Sequence, residues 1–398
     1  MTPAAWREAF IARVMANPSA SLRVLREGLA AEGASALHPV ACPMVIDRAS
    51  RDRIEGTVRQ WHHGMTEVLA SWADDREALI AVPAALQARA QSEARERRAL
   101  GSTRYDFIMQ ADGELALIEC QAGDPSGMGV EEASASAFAR LGLEGVERQS
   151  VASSMRRFVA PSHAGFIVFV IHREAFLEWD VARLVKVFRA EGVDAVMAEA
   201  SDLSFREGRL WLGGRRVDMV VRDSLEDLLA PERVESSRAL LAAWSSDAVK
   251  VVNPAGSIVA DHKVLLGRLK ARAVPETRLL GAEAPDRERW VLKPSDGFGG
   301  FDVTVGPAVS DAQWAAAVDA ARSSGRMFLL QTFLRAETLE LPVPAGDTLE
   351  LRRHHVVYSG WMHEDRFGGM FARVHEKPVV NVHQGGGLVP VYTLPQKA

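Results

Sequence analysis

Two carboxylates fall on facing strands of a predicted β-hairpin. The stretch TRYDFIMQADGELALIECQ, residues 103–121, has Asp-Gly between two apolar runs. This pair is a strong hairpin signal, because a type I′ turn needs a positive φ at both central residues. With Asp112 and Gly113 as a two-residue loop, Asp106 lies opposite Glu119. Like charges directly opposite each other destabilise a sheet, and carboxylate oxygens bind divalent cations. The spacing therefore indicates either a metal site or, in another register, a solvated hairpin end.

The same register adds polar groups to that face of the hairpin. Arg104 falls opposite Gln121. Both are two positions from a carboxylate, and side chains two apart in a strand share a face. Cys120 points to the other face, where a small buried apolar residue is a simpler interpretation than a nucleophile.

A lysine and a glycine-rich loop in the C-terminal half are suited to binding phosphate. The stretch WVLKPSDGFGGFDV, residues 290–303, places Lys293 at the end of a strand that Pro294 terminates. Backbone N–H groups of a glycine loop can approach phosphate oxygens closely, because glycine has no Cβ. The order of residues differs from that of a Walker loop. A tight hairpin loop with an incidental lysine is the alternative.

Three further polar residues stand where a ligand would explain them. Lys263 opens a predicted helix, ADHKVLLGRLKAR, and its charge opposes the helix dipole unless an anion lies nearby. Gln331 lies in the apolar strand FLLQTFL and needs a hydrogen-bond partner, which an adenine edge or the backbone could supply. Arg373 is a fixed charge on a strand, suited to stabilising a transferring phosphoryl group. A surface lysine is the alternative for Lys263.

Composition narrows the classes of protein. The 398 residues are 47% hydrophobic and 25% charged, which is ordinary for a globular enzyme of two or three domains. The net charge of -5 gives no reason to expect binding to nucleic acid or to a membrane surface. Two cysteines form no metal-binding spacing and no disulfide framework, which fits a reducing compartment. With no apolar signal segment recognisable, we expect a cytoplasmic protein.

The pattern of elements changes along the chain. Residues 1–100 have helical periodicity through most of their length. HAGFIVFVIHRE, residues 163–174, contains a buried strand, and a helix, a second strand, a small hairpin and a third strand follow. This order predicts a parallel α/β unit, while the absence of G-x-G-x-x-G makes a dinucleotide domain a weak interpretation. From residue 290 onward, antiparallel strands dominate.

Taken together, the motifs resemble the ATP-grasp superfamily of carboxylate–amine ligases. The matching order is Lys263 on a helix, then VLKPSDGFGG, then LLQTFL, then an arginine strand followed by NVHQGGG. In the usual family order an Asp and a Glu-x-Asn follow the last loop, but only 11 residues follow Gly387 here, and none is acidic. The acids occur instead in RYDF and IECQAGDPSG. This arrangement resembles circularly permuted ATP-grasp proteins and is similar to the synthetase domain of glutathionylspermidine synthase.

The resemblance implies a mixed fold, α+β and α/β, with a circularly permuted ATP-grasp core. Residues 1–100 would form a mostly helical N-terminal region. Residues 101–150 would supply a metal-binding hairpin and a helix of the core. Residues 160–235 would form the pre-grasp α/β subdomain. Residues 236–398 would form the ATP-grasp lobes with the lysine strand and the phosphate loop.

The resemblance also implies ATP and Mg²⁺ as cofactors. Asp106, Glu119 and Gln121 would be the metal ligands, although Gln121 replaces the asparagine of the family pattern. The residues assigned to the nucleotide are Lys263, Lys293, Ser295, Gly297, Gly299, Gly300 and Gln331.

Four more residues receive roles at the reacting groups. Arg104 and Arg373 would stabilise the transferring phosphoryl group, and Ser126 and Arg222 would contact the substrate. The implied activity is an ADP-forming carbon–nitrogen ligase that joins a small-molecule or peptide carboxylate, such as an amino acid, to an amine through an acyl phosphate. The alternatives are a nucleotide-binding protein without turnover and a kinase-like enzyme that stops at a phosphorylated product.

Overall fold

The computed structural model of the chain describes residues 1–73, 82, 84–162, 165–172, 178–222, 228, 230, 232–282, 285–297 and 299–395. The helices, in chain order, are α1 (Pro3–Ala16), α2 (Pro18–Ala31), α3 (Arg48–Trp72), α4 (Ala84–Arg95), α5 (Met128–Ala139), α6 (Val151–Val159), α7 (Glu178–Ala190), α8 (Arg238–Ser245) and α9 (Asp311–Ser323). The first nine strands are β1 (Met44–Ile46), β2 (Ser102–Met109), β3 (Leu115–Gln121), β4 (Phe166–Val170), β5 (Asp194–Ala198), β6 (Leu203–Arg206), β7 (Arg209–Leu212), β8 (Arg215–Arg216) and β9 (Met219–Arg222). The later strands are β10 (Lys250–Val252), β11 (Thr277–Leu279), β12 (Trp290–Pro294), β13 (Thr304–Val305), β14 (Phe328–Thr332), β15 (Thr338–Ala345), β16 (Thr348–His363), β17 (Arg366–His375) and β18 (Gly387–Thr393).

A seven-stranded sheet joins the beginning of the chain to its end. The strand order is β1-β18-β17-β16-β2-β3, and β15 also pairs with β16. β1 lies parallel to β18, whereas the other pairs are antiparallel. The early β2–β3 hairpin is therefore an edge of the sheet that the C-terminal strands build. The N-terminal region, predicted as mostly helical, also contributes β1 to this sheet.

The predicted parallel α/β unit is present. β10, β9, β4 and β5 form a four-stranded sheet in that order, and all three pairs are parallel. Every residue of β4 is buried, which explains why its sequence is continuously apolar rather than alternating. The ends of the predicted segment 163–174 lie partly outside the described residues. β6, β7 and β8 form the small antiparallel hairpin extension.

The glycine-rich loop belongs to a lobe with its own core. β11, β14, β12 and β13 form a four-stranded antiparallel sheet. Its hydrophobic cluster includes Trp290 and Leu330 from the strands and Trp314 from α9. This cluster is separate from the large core that the rest of the chain shares. The lobe can therefore hold the loop on a small, independent scaffold.

The helix predicted around Lys263 is wrong in type. The segment forms two 3₁₀ helices, Ala255–Asp261 and Lys263–Arg268, separated by His262 in an extended conformation. The backbone N–H of Lys263 donates to the Ser295 carbonyl at 2.9 Å, a tertiary bond that replaces an α-helical one. No described helix has the length and apolar character required to cross a bilayer.

α5 and α7 pack so closely that one position of α5 cannot carry a side chain. A Cβ added at Gly129 would lie 2.0 Å from the Asp180 carbonyl oxygen. The backbone N–H groups of Gly127 and Val130 donate to the Asp180 carboxylate at 2.9 and 2.7 Å. Asp180 therefore caps the first turn of α5, and the glycine permits its approach.

We expect Gly129→Ala to lower the free energy of unfolding by about 2 to 3 kcal/mol, because the new methyl group must displace helix backbone. The matched control is Gly56→Ala in the middle of α3, where an added Cβ meets nothing within 4 Å. That variant should be as stable as the parent or more stable by about 0.5–1 kcal/mol. Urea denaturation measures both, and equal stabilities would contradict the packing argument.

Candidate active site

The predicted pairing of the two carboxylates is confirmed, but the predicted loop is wrong. Asp106 is the register partner of Glu119. Gln110 and Glu114 are joined by a backbone hydrogen bond of 2.8 Å and enclose a three-residue loop instead of two residues. The extra loop residue shifts the register by one position. A β-bulge at Ile118 shifts it back before the carboxylates are reached.

Asp106 is fully buried between two guanidinium groups. Arg104 donates to it through Nε at 2.9 Å and Nη2 at 3.0 Å, and Arg373 Nη2 lies 2.6 Å from its second oxygen. The Ser359 hydroxyl donates to it at 2.7 Å. Burial alone would raise the pKa of Asp106, but the two arginines outweigh it and lower the pKa to about 2. These partners come from β2, β16 and β17, which are neighbours in the sheet.

Glu119, which lies opposite Asp106 on the neighbouring strand, pairs with a lysine instead of arginines. Lys263 Nζ is 3.0 Å from Glu119 Oε1, and Gln121 Nε2 donates to the same oxygen at 3.1 Å. Lys263 Nζ also donates to the Gly297 carbonyl in the glycine-rich loop. Burial opposes ionisation of Glu119, yet the charge of Lys263 and more distant cations lower its pKa. Glu119 and Lys263 thus tie the hairpin to the smaller lobe.

Lys293 and Gln331, predicted separately, contact each other. Lys293 Nζ donates to Gln331 Oε1 and to the Ile118 carbonyl, both at 2.7 Å. Gln331 Nε2 in turn donates to the Thr277 hydroxyl at 3.1 Å. Burial lowers the pKa of Lys293 to about 7. The lysine therefore lies in a dry environment, held by two carbonyl-type oxygens, where a phosphate would strongly favour its charged form.

The glycine-rich loop contacts the last loop of the chain. Gly299 and Gly300 have φ values of +66° and +72°, in the left-handed region that favours glycine. Gln384 Nε2 donates to the Gly299 carbonyl at 3.1 Å. A Cβ on Gly300 would lie 2.8 Å from Val379. Ser295 is fully buried, and its hydroxyl accepts from the Val264 N–H at 3.4 Å, so it supports the Lys263 segment.

An intersheet cleft of about 720 Å³ separates the lobe from the seven-stranded sheet. Lys293 and Gln331 line one side, and the cluster that contains Ile108, Val357 and Val380 lines the other. An apolar slot with a few directed polar groups is typical of a small-molecule or cofactor site. Of the residues predicted to bind the nucleotide, all except Ser295 line either this cleft or a second cavity that adjoins it.

A second space, the strand-end cavity, has a volume of about 470 Å³. Ile171, Arg222 and Asn253 line it at the carboxyl ends of β4, β9 and β10, which is where open α/β sheets bind ligands. The cleft and the cavity share one wall. This shared wall consists of Glu119, Lys263, Gly297, Arg373 and Asn381.

The two predicted substrate residues line the strand-end cavity, but with contacts that differ from the expectation. Arg104 Nη1 donates to the backbone carbonyl of Ser126 at 2.7 Å. Arg222 Nε donates to the Asn253 carbonyl at 3.1 Å, and its Nη2 donates to the Ser257 hydroxyl at 3.1 Å. Arg222 therefore braces the segment that leads to the Lys263 region.

No sequence motif indicated two carboxylates that position the loop after β3. Asp261 accepts hydrogen bonds from the N–H groups of Ala122 and Gly123 at 2.5 and 3.0 Å, and burial raises its pKa to about 6. Asp180 holds the other end of the same loop through Gly127 and Val130. Asp180 and Asp261 lie 50 or more positions from their partners along the chain, so no local motif marks them. The strongest available signal was an acid two residues before Lys263.

The donor groups fit a magnesium ion only in part. Glu119 and the Gln121 amide line the strand-end cavity, whereas the oxygens of Asp106 already accept from arginines and a serine. Within the described residues, no group of three or more His, Cys, Asp and Glu side chains is arranged to hold a metal. Mg²⁺ is often held by one or two carboxylates together with substrate phosphates. Glu119 and Gln121 fit that kind of incomplete site.

No protein-family model matches the chain, and no curated protein matches its sequence. Solved structures do. A glutathione synthetase-like effector from Globodera pallida, determined in its apo form, superposes with a TM-score of 0.59 at 10% identity and covers 99% of this chain and 98% of its own. D-cycloserine synthetase aligns with a TM-score of 0.30 at 16% identity over 58% of this chain and 92% of its own. The first likeness shows that the chain shares the fold of this glutathione synthetase-like effector over almost its whole length.

The Asp106 network predicts an acid-sensitive contribution to stability. Asp106→Asn leaves two buried guanidinium groups without their counter-charge, so we expect the free energy of unfolding to fall by about 3 to 5 kcal/mol. The folded-state pKa of about 2 lies below the ordinary value of 3.8. The stabilisation is therefore complete above pH 3.8 and is lost as the pH falls toward 2.

Urea denaturation of the parent and the variant from pH 7 to pH 2 measures this effect. Ser359→Ala is the control, since it removes one hydrogen bond at a cost of about 2 kcal/mol and leaves the carboxylate and both guanidinium groups in place. A stability difference for Asp106→Asn that grows on acidification would contradict the assignment.

Proposed function

We propose that the chain is an ATP-dependent carbon–nitrogen ligase that forms an acyl phosphate. The observation that carries the proposal is the shared wall, because it joins a slot suited to a nucleotide with a second cavity suited to an acceptor. A phosphoryl group held at Lys263 and Arg373 would be reachable from both sides. The resemblance of the motifs to ATP-grasp ligases and the fold shared with the glutathione synthetase-like effector support the same activity. We further propose that the β2–β3 hairpin represents a circularly permuted piece of that core.

In the proposed complex, adenine occupies the apolar part of the intersheet cleft. Lys293 and Gln331 already form a polar pair there, and the triphosphate would replace carbonyl oxygens as the partner of Lys293 Nζ. Lys263 lies at the shared wall and would contact the terminal phosphates together with backbone N–H groups around Gly299 and Gly300. Contacts between this loop and Gln384 would exclude water from the reacting groups.

The reaction needs little covalent chemistry from the protein. An oxygen of the substrate carboxylate attacks the γ-phosphorus, and the bond from phosphorus to the ADP oxygen breaks. An amine then attacks the acyl carbon, the bond from that carbon to the bridging oxygen breaks, phosphate leaves with this former carboxylate oxygen, and the amine gives up a proton. Arg373, oriented by Asp106, would stabilise charge on the transferring group. Glu119 and Gln121 would hold Mg²⁺, which supplies charge neutralisation when bound.

Asp106 would act in this mechanism by holding Arg104 and Arg373 rather than through the metal. Its oxygens bind guanidinium groups and a hydroxyl. We therefore propose that Glu119, rather than Asp106, is the carboxylate that binds the metal. The same observation favours a second candidate function, nucleotide binding without turnover. In that case the ligand set for the metal would be too small for catalysis. The two functions differ in whether ADP is formed.

The direct test incubates the protein with ATP, Mg²⁺ and pooled carboxylic acids and amines. We expect ADP to form with particular pools, together with a product lighter by one water than its two components, detected by mass spectrometry. A phosphorylated acid as the final product would indicate a kinase. Magnesium-dependent ATP binding without ADP in any pool would favour the second candidate.

Glu119→Gln should reduce ADP formation at least about a hundredfold, because it removes the charge proposed to hold the metal and to pair with Lys263. Glu114→Gln is the matched control, an exposed glutamate of the same hairpin that pairs with Arg272. Steady-state ADP release under saturating ATP compares them. Equal rates for Glu119→Gln and the parent would remove Glu119 from the site.

Lys293 should take up protons when ATP binds. Its pKa is about 7 in the unliganded protein, and phosphate charge would raise it. At pH 8 the free lysine is mostly neutral, so binding should be accompanied by proton uptake and ATP affinity should fall as the pH rises further. Titration calorimetry in buffers of different ionisation enthalpy measures the uptake. Lys293→Met should abolish it, whereas Lys270→Met, an exposed control, should retain it.

A further inference from the structure

We infer that the acid activated by this protein carries an extended apolar group. The inference rests on the proposed function in one respect, namely that the substrate carboxylate lies at the shared wall. From that wall, the strand-end cavity continues between α5, α6, α7 and the end of β4. The side chains that face it there are Met128, Val130, Met155, Ile171, Val181 and Leu184.

A chain of contacts fixes the direction of the cavity. Arg104, which donates to Asp106, also donates to the Ser126 carbonyl. The next residue, Gly127, donates to Asp180 at the start of α7. Val181 follows Asp180, and Leu184 lies three positions further on, so both occupy one face of α7. The loop after β3 therefore connects the charged residues at the shared wall to the apolar side chains of α7.

Two charged side chains that line the cavity, Asp180 and Arg222, already have hydrogen-bond partners within the protein. Both oxygens of Asp180 accept backbone N–H groups of the α5 N-terminus. The Arg222 guanidinium donates to the Asn253 carbonyl and to Ser257. A ligand that brought a second charge into this part of the described cavity would have to displace such bonds or remain unpaired, which is costly in a buried site. An apolar group meets no such cost.

The composition of the wall also indicates how selective it is. Met128 and Met155 are unbranched and flexible, so they adapt to ligands of different shape. Val181, Ile171 and Leu184 offer branched apolar surface without polar atoms. We therefore expect selection by apolar length rather than by a particular functional group. The ligand class is a carboxylate with an alkyl or similar apolar group, in contrast to a polyamine or a peptide with charged side chains.

The test measures direct binding of acetate, butyrate, hexanoate and octanoate to the full chain by ligand-observed NMR. For the parent protein, affinity should rise about fourfold with each added methylene that the cavity buries. The affinity of alkylamines should rise less steeply with chain length than the affinity of the carboxylates. Affinity that is independent of chain length, or a steeper dependence for the amines, would overturn the inference.

A pair of variants on one helix locates the effect. Val181→Asn should lower octanoate affinity about tenfold and change acetate affinity less than twofold. Val187→Asn is the control, since Val187 is a half-buried valine of the same helix that does not line the cavity. Loss of octanoate affinity in both variants, or in neither, would contradict the assignment. Thermal unfolding of both variants shows whether they remain folded.

The inferred substrate class and the proposed ligase activity can be contradicted independently of each other. If chain-length dependence is found but no acid and amine pair yields ADP, the cavity assignment stands and the ligase proposal fails. If ADP forms only with short, highly charged acids, the ligase proposal stands and the inferred substrate class is wrong.

Discussion

The buried carboxylate of Asp106 is the constraint on which the rest of the site depends. Two guanidinium groups inside a protein need a counter-charge, and Asp106 supplies it from β2 to neighbours on β2 and β17. The strands must therefore lie in this order and register, or an unpaired charge remains buried. Arg104 extends the constraint to the loop after β3, and Arg373 extends it to the wall between the two ligand spaces. The network thus couples the sheet to the site.

Two distant carboxylates complete the same arrangement from the other side. Asp261 and Asp180 hold the two ends of the loop 122–127 through the backbone N–H groups of Ala122 and Gly127. One comes from the segment before Lys263 and the other from a helix of the parallel α/β unit. Together with Arg104, which binds the Ser126 carbonyl, they fix the loop to three parts of the chain. Its position determines the shape of the strand-end cavity, which Asp180 and Asp261 also line, so these two acids help to decide which ligands fit.

Sequence patterns predicted the local elements well and the long-range contacts poorly. The apolar run of β4 and the Asp-Gly turn are local signals, and both were informative. The pairing of Asp106 with Glu119 was nevertheless reached through two errors that cancel, because neither the extra loop residue nor the bulge at Ile118 has a sequence signature. The prediction of an α-helix at Lys263 was wrong because the backbone N–H of Lys263 donates to the carbonyl of Ser295, 32 positions away. The roles of Asp180 and Asp261 depend on similar contacts and were invisible.

The bulge at Ile118 compensates for the length of the hairpin loop and supplies a contact to Lys293. Because the bulge interrupts the ladder, the Ile118 carbonyl is available to Lys293. The loop and the bulge each add one residue, and only together do they keep the carboxylates aligned. Removing one of them alone would turn Asp106 or Glu119 to the wrong face. Removing both together would leave the two carboxylates opposite each other, so the loop and the bulge act as one structural unit.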